Sequence, residues 1–273
     1  MTKLINRKPS RYGQLMLGLL PFLIIMLVYV TASDARLAVN PADKLLPAFS
    51  SLVDAVERMA FTPSKRTGEY LLWADTLASL QRLAWGVGLS ALVGLALGIA
   101  NGMIPLIRSV CSPVVTAISL IPPMAILPIL FISFGLGELS KVVLIFIGVC
   151  PIIIRDIQLK SQALPYEQLI KAQTLGGNSW QIIIRVILPQ IFPRLIESVR
   201  LTIGSAWLFL IAAEAIVATD GLGYRIFLVR RYLAMDVILP YVFWITLLAY
   251  LMDWLLRRLS LKVSPWYHQS QGE

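Results

Sequence analysis

The strongest constraint on this chain is a series of apolar runs, most of them long enough to cross a bilayer, which takes about 20 residues of helix. Leu15 to Ala32, Leu80 to Ile104, Pro113 to Phe134, Lys141 to Ile154, Leu201 to Ala218 and Asp236 to Leu256 are the six candidates. In lipid every backbone N–H and C=O must find its partner inside the chain, so segments of this kind are helices. Hydrophobic side chains make up 58% of 273 residues and the mean hydropathy is +0.76, too apolar for an ordinary soluble domain. The expected class is therefore all-α: a polytopic membrane protein of about six transmembrane helices, with the lipid bilayer as its first partner.

The formal net charge of +9 would point to nucleic acid in a soluble protein. In a membrane protein, topology explains it, because Lys and Arg collect in cytoplasmic loops. No nucleic-acid partner is expected. Lys3, Arg7, Lys8 and Arg11 precede the first run, and Arg257, Arg258 and Lys262 follow the last, which places both termini inside. The first run is longer than a signal-peptide core and lacks a small-x-small cleavage site, so it reads as an uncleaved span. Short inside segments then hold Arg108 and Arg155, and Gly135 to Ser140 form an outside turn. Arg225, Arg230 and Arg231 lie in the outside loop 219–235 and run against the rule.

Residues 1–76 make an N-terminal span and a polar outer segment, in which Ala48 to Met59 reads as a short amphipathic helix packed on its own protein. Residues 77–273 make the core. Gly94, Gly98 and Gly102 stand four apart in the second run, a spacing that lets another helix come close. Pro122, Pro123 and Pro128 interrupt the third; they could line a gate or be kinks fixed by packing. Glu214 lies well inside the fifth, where an ionisable group must face the bundle or a cavity, as structural glue or on a substrate path. Cys111 and Cys150 have no metal-type spacing, and the one histidine, His268, lies in the tail. Neither a metal site nor a histidine-based catalytic cluster is expected. There is no Gly-x-x-x-x-Gly-Lys-Ser/Thr loop, so this chain does not bind ATP by that route and carries no cofactor of its own.

The polar stretch Glu167 to Pro193 lies between apolar runs and carries its own punctuation. Gly176 and Gly177 can take the positive φ that ends a helix, Asn178 can cap the next, and Gln181 can close a capping box. Leu188-Pro189 should end that second helix, because the residue before proline is pushed out of the α region. The reading is a short helix–turn–helix hairpin on the membrane surface.

These residues resemble the "EAA" loop of binding-protein-dependent ABC importer permeases, in which a glycine precedes the proline of an Ile-x-Leu-Pro ending by thirteen residues. Thr174-Leu175-Gly176, Val186 and Leu188-Pro189 match that spacing. Ile170, Lys171 and Ala172 stand at the Glu-Ala-Ala positions, with Glu167 one turn earlier. The stretch SLIPPMAILPILFISFGLGELSK is similar to the family's proline-rich region, and AAEAIVATDGLGY to its sulfonate, taurine, nitrate and bicarbonate branch. The resemblance covers about Thr76 onward. It implies a type I ABC importer permease of the inner membrane, a non-catalytic transport subunit working as a homodimer. Two cytoplasmic ABC ATPase subunits, which bind the ATP and magnesium, would grip a coupling loop at 160–195. An extracytoplasmic substrate-binding protein would deliver a small anion. Glu167, Lys171, Ala172, Thr174, Leu175, Gly176, Gly177, Trp180, Leu188 and Pro189 would form the coupling loop; Pro122, Pro123, Pro128 and Glu214 would flank the path. The alternatives are a permease for a neutral or heterocyclic nutrient and an ion-gradient-driven secondary transporter, which should show inverted repeats and midplane acids.

Overall fold

Glycine spacing organises the bundle. The computed structural model describes residues 10–41, 43–65 and 68–269, so the basic head at Lys3, Arg7 and Lys8 lies outside them. Gly86, Ser90, Gly94, Gly98 and Gly102 fall at four-residue intervals along one face of α3 (Leu71–Met103). That face lies against α6 (Glu138–Gln162). A Cβ placed on Gly86, Gly98 or Gly102 would stand 2.6, 2.6 and 2.5 Å from Ile145, Ile157 and Ser161 respectively. Without side chains at these positions the Ile145, Ile157 and Ser161 side chains of α6 lie directly on the α3 backbone, which supplies dispersion where lipid supplies no hydrophobic drive.

The matched pairs rise together along both helices, so α3 and α6 are parallel. Residues 104–137 must therefore return the chain to the end where α3 began. They do so as a bent pair: α4 (Pro105–Leu120), a 3-10 turn over Pro123–Ile126, and α5 (Leu127–Phe134), with an 82° bend. The expected third span, Pro113 to Phe134, is thus not one helix. Pro122 has no N–H to give a continuing helix and holds Ile121 in the extended region. The expected loop around Arg108 is absent as well. Ile104 alone separates α3 from α4, and the Arg108 Nε donates 2.8 Å to the Asn101 carbonyl, satisfying the end of α3.

Among the described residues, five helices are long and apolar enough to span a membrane, or six if the bent pair is one span. The parallel α3–α6 pair favours six. Each crossing is longer than its apolar run: α6 continues past Arg155 to Gln162, and α11 runs Met235–Val263. In the loop 219–235, expected on the outside, lies a helix that hydropathy does not announce, α10 (Leu222–Arg230). The N-terminal helix α1 (Arg11–Val39) stands apart with its apolar surface uncovered. The amphipathic α2 (Phe49–Ala60) buries Ala55 and Ala60 against α3 and α11, as its pattern requires.

Candidate functional site

Two constructions stand at opposite ends of the bundle. The first is the hairpin. Its leading helix α7 (Tyr166–Thr174) ends in a Schellman turn: Gly177 N–H bonds the Ala172 carbonyl at 3.1 Å and Gly176 N–H bonds Gln173 at 2.9 Å. Gly176 takes φ +83°, as expected. Gly177 does not take a positive φ; it is needed because a Cβ there would come 2.8 Å from the Ala172 oxygen. Asn178 then caps α8 (Ser179–Ile182), and Gln181 closes the capping box at 2.8 and 3.0 Å.

Leu188-Pro189 does not end that helix. The chain runs on through a π turn at Ile183–Ile187 into α9 (Leu188–Val217), giving one helical segment of 39 residues. In a regular helix the Pro189 ring would strike the Arg185 carbonyl. The wider turn just upstream, with Leu188 N–H bonded to Ile183, makes room. The Gln190 side chain bonds both Val186 O and Gln168 Oε1, at 2.9 and 3.1 Å, and so ties α9 to α7. Ile182 and Ile187 are buried beneath the hairpin, while Tyr166, Trp180 and Leu175, the last 88% exposed, point outward. Glu167, Lys171, Thr174 and Pro189 are exposed too, and Ala172 and Leu188 are half-buried. The expected hairpin residues therefore come together on one element.

The second construction is a buried ion network centred on Arg82 of α3, which is 4% exposed. Its Nε and Nη2 take Glu138, the first residue of α6, at 2.5 and 2.8 Å; Nη1 takes Glu214 at 2.7 Å and the Asp220 carbonyl at 3.1 Å. Nη2 also meets the Asp220 carboxylate. Glu214 is wholly buried, and besides Arg82 it accepts from Ser79 at 2.8 Å and from Gly223 N–H at 2.8 Å. The start of α10 is capped from other helices: Gly221, Leu222 and Gly223 N–H go to Asp75, Ser79 and Glu214 at 3.1, 2.9 and 2.8 Å. Asp75 also accepts from Arg225 at 2.8 Å and from Tyr241 of α11 at 3.1 Å. Burial alone would push the Arg225 guanidinium down, but the Asp75 carboxylate outweighs it and the net shift is upward. That pairing gives one of the loop arginines a buried carboxylate of its own.

Residues 90–265 match the family described as binding-protein-dependent transport system inner membrane components. The chain belongs to that family. The taurine transport system permease protein TauC of Escherichia coli is 33% identical over 200 residues, 73% of each chain. A putative aliphatic sulfonates transport permease protein, SsuC of Bacillus subtilis, is 28% identical over 271 residues, 98% of this chain and 94% of that one. The methionine ABC transporter MetNI, in an inward-facing conformation, superposes with a TM-score of 0.64 at 22% identity. The match covers 73% of this chain and 99% of the MetNI chain. This permease therefore has the type I importer fold.

In the permease the three prolines sit where a helix can accept them. Pro122 is in the bend, and Pro123 and Pro128 begin the 3-10 turn and α5. Glu214 and the hairpin lie at opposite ends of the same helix. Sequence reading missed Asp75, Ser79, Arg82 and Glu138. The available signal was the spacing of Asp75, Ser79 and Arg82, which puts three polar groups on one face of α3. Starting the span at Leu80 hid it.

Proposed function

We propose that this permease is the membrane subunit of an ATP-driven importer for a small anion of the sulfonate, taurine, nitrate or bicarbonate kind. It works as a pair of copies, with both termini in the cytoplasm. Two ATPase subunits bind ATP and magnesium and grip the hairpins, and an extracytoplasmic binding protein delivers the solute. The permease itself carries out no hydrolysis. Closure of the ATPases moves the hairpins and shifts the bundle between inward- and outward-facing states. The bent segment at Pro122 and Pro123 flanks the passage between copies.

The observation that carries this reading is the hairpin: a Schellman turn and a capping box back to back, built to hold Leu175 and Trp180 out of the bundle. The branch of the taurine and sulfonate relatives supports the anion. Gly176→Val tests it. A β-branched residue at φ +83° is strained by about 1–2 kcal/mol or more and tilts α7 away from its partner. The variant should insert normally yet fail to retain a nucleotide-binding subunit on purification. Full retention would overturn the hairpin's role.

A further inference from the structure

We propose that Arg82 is a positioning residue that hands the movement of α9 to the rest of the bundle at the end opposite the hairpin. This rests on the hairpin reading above and goes past it. The Ser179–Val217 segment is 39 residues, about 58 Å, and has the capped hairpin at one end and Glu214 near the other. Displacement at the hairpin therefore arrives at Glu214 with no loop in between. The hydrogen bonds of Glu214 go to Ser79 and Arg82 of α3 and to the start of α10, so at this end the polar links of α9 converge on α3.

Arg82 then spreads the load. All three of its side-chain nitrogens are engaged, on α6 through Glu138, on α9 through Glu214 and on the α9–α10 corner through Asp220. Such a load needs a rigid planar fork; a lysine ammonium is a single point that cannot reach three elements together. The carboxylates differ in exposure. Glu138 is 63% and Asp220 52% exposed, while Glu214 is sealed. The sealed arm carries α9; the open arms let α6 and the corner settle against it.

The test uses the whole complex with its ATPase subunits. Spin labels go on cysteines at Leu77 of α3 and Ile216 of α9, both exposed, and labelled chains are diluted with unlabelled ones so that only the in-chain distance is read. Distances are compared without nucleotide and after trapping with ATP and vanadate. The parent chain should give the same narrow distribution in both states. Arg82→Lys should match it without nucleotide and broaden at least twofold on trapping, because α9 then moves without α3. An unchanged variant overturns the proposal, and so does movement of the parent pair. Broadening before trapping would show a merely structural bond and overturn it too. If Arg82→Lys does not accumulate, Glu214→Gln decides on the same readout. A complex that traps no nucleotide overturns the functional reading instead, and this one with it.

Discussion

The two ends of the bundle are built on opposite principles. At the Arg82 end, Arg82, Glu214 and Asp75 are drawn inside, and every nitrogen of the Arg82 fork is used. At the hairpin end, the apolar side chains Leu175 and Trp180 are held outside, and rigidity comes from backbone bonds in a turn and a cap. The first end is stable because of what it buries, the second because of how its backbone is closed. Loss of the sealed acid at the first should be felt in stability, and a lesion at the second in what the chain can hold.

The sharpest way to break that contrast is Glu214→Ala beside Leu175→Ala. Removing Glu214 leaves Glu138 and Asp220 on the Arg82 guanidinium but strips Ser79 and the Gly223 N–H of their buried acceptor, at about 1–3 kcal/mol for each donor left unpaired. An exposed side chain at a turn costs within about 0.5 kcal/mol. Denaturant unfolding in detergent should separate the two variants by that margin; equal losses would erase the distinction. Next in size is Gly98→Leu, which drives a side chain into Ile157 and forces α3 off α6. Overpacking of this sort costs about 1–3 kcal/mol, read as a lower unfolding midpoint. The uncrowded Gly88, where leucine raises helix propensity and a Cβ meets nothing within 4 Å, should show no such loss; an equal loss there would remove close packing on α6 as the cause.

Asn178→Ala sharpens the other side. Loss of a cap costs about 1 kcal/mol, and it should appear locally, as faster amide exchange at Gln181, with the Arg82 end untouched. The smallest effect belongs to the link between α1 and α2. There the Leu45 N–H and the Arg36 guanidinium hold the Asp43 carboxyl below its usual value. A depressed folded pKa means the contact is present above the ordinary aspartate range of about 4 and is lost only as pH falls through the lower folded value. Leu45 amide protection should therefore persist at pH 5 and fade below about 4; loss near neutrality would remove Asp43 as its cause.

Much of this was legible in the residues themselves. Four-residue glycine spacing announced the α3 face, and Asn178 with Gln181 announced the cap, because both are local rules. The π turn was not legible, since whether Pro189 stops a helix or is absorbed depends on the turn before it. Nor was the Arg82 network. Arg82 and Glu214 stand 132 residues apart, and hydropathy treats each as a flaw in its own run. Only the parallel packing of α3 on α6, with the intervening bent pair, brings Glu138 to the same place.

That long separation has a consequence for synthesis. Chains emerge at about 5–20 residues per second, so Arg82 leaves the ribosome roughly 7–26 s before Glu214, which lies 132 residues further on. Glu138 emerges 56 residues after Arg82, roughly 3–11 s behind it. Before that the charge stands alone and afterwards it meets only an exposed acid, while an unpaired arginine at bilayer depth costs about 2.5–3.5 kcal/mol. The glycine face of α3 waits in the same way for α6. The nascent α3 must therefore ride high, with Arg82 near the headgroups, and settle only when α9 brings its carboxylate across. The permease is thus finished from the hairpin side: the helix that carries the hairpin also delivers the one sealed counter-charge.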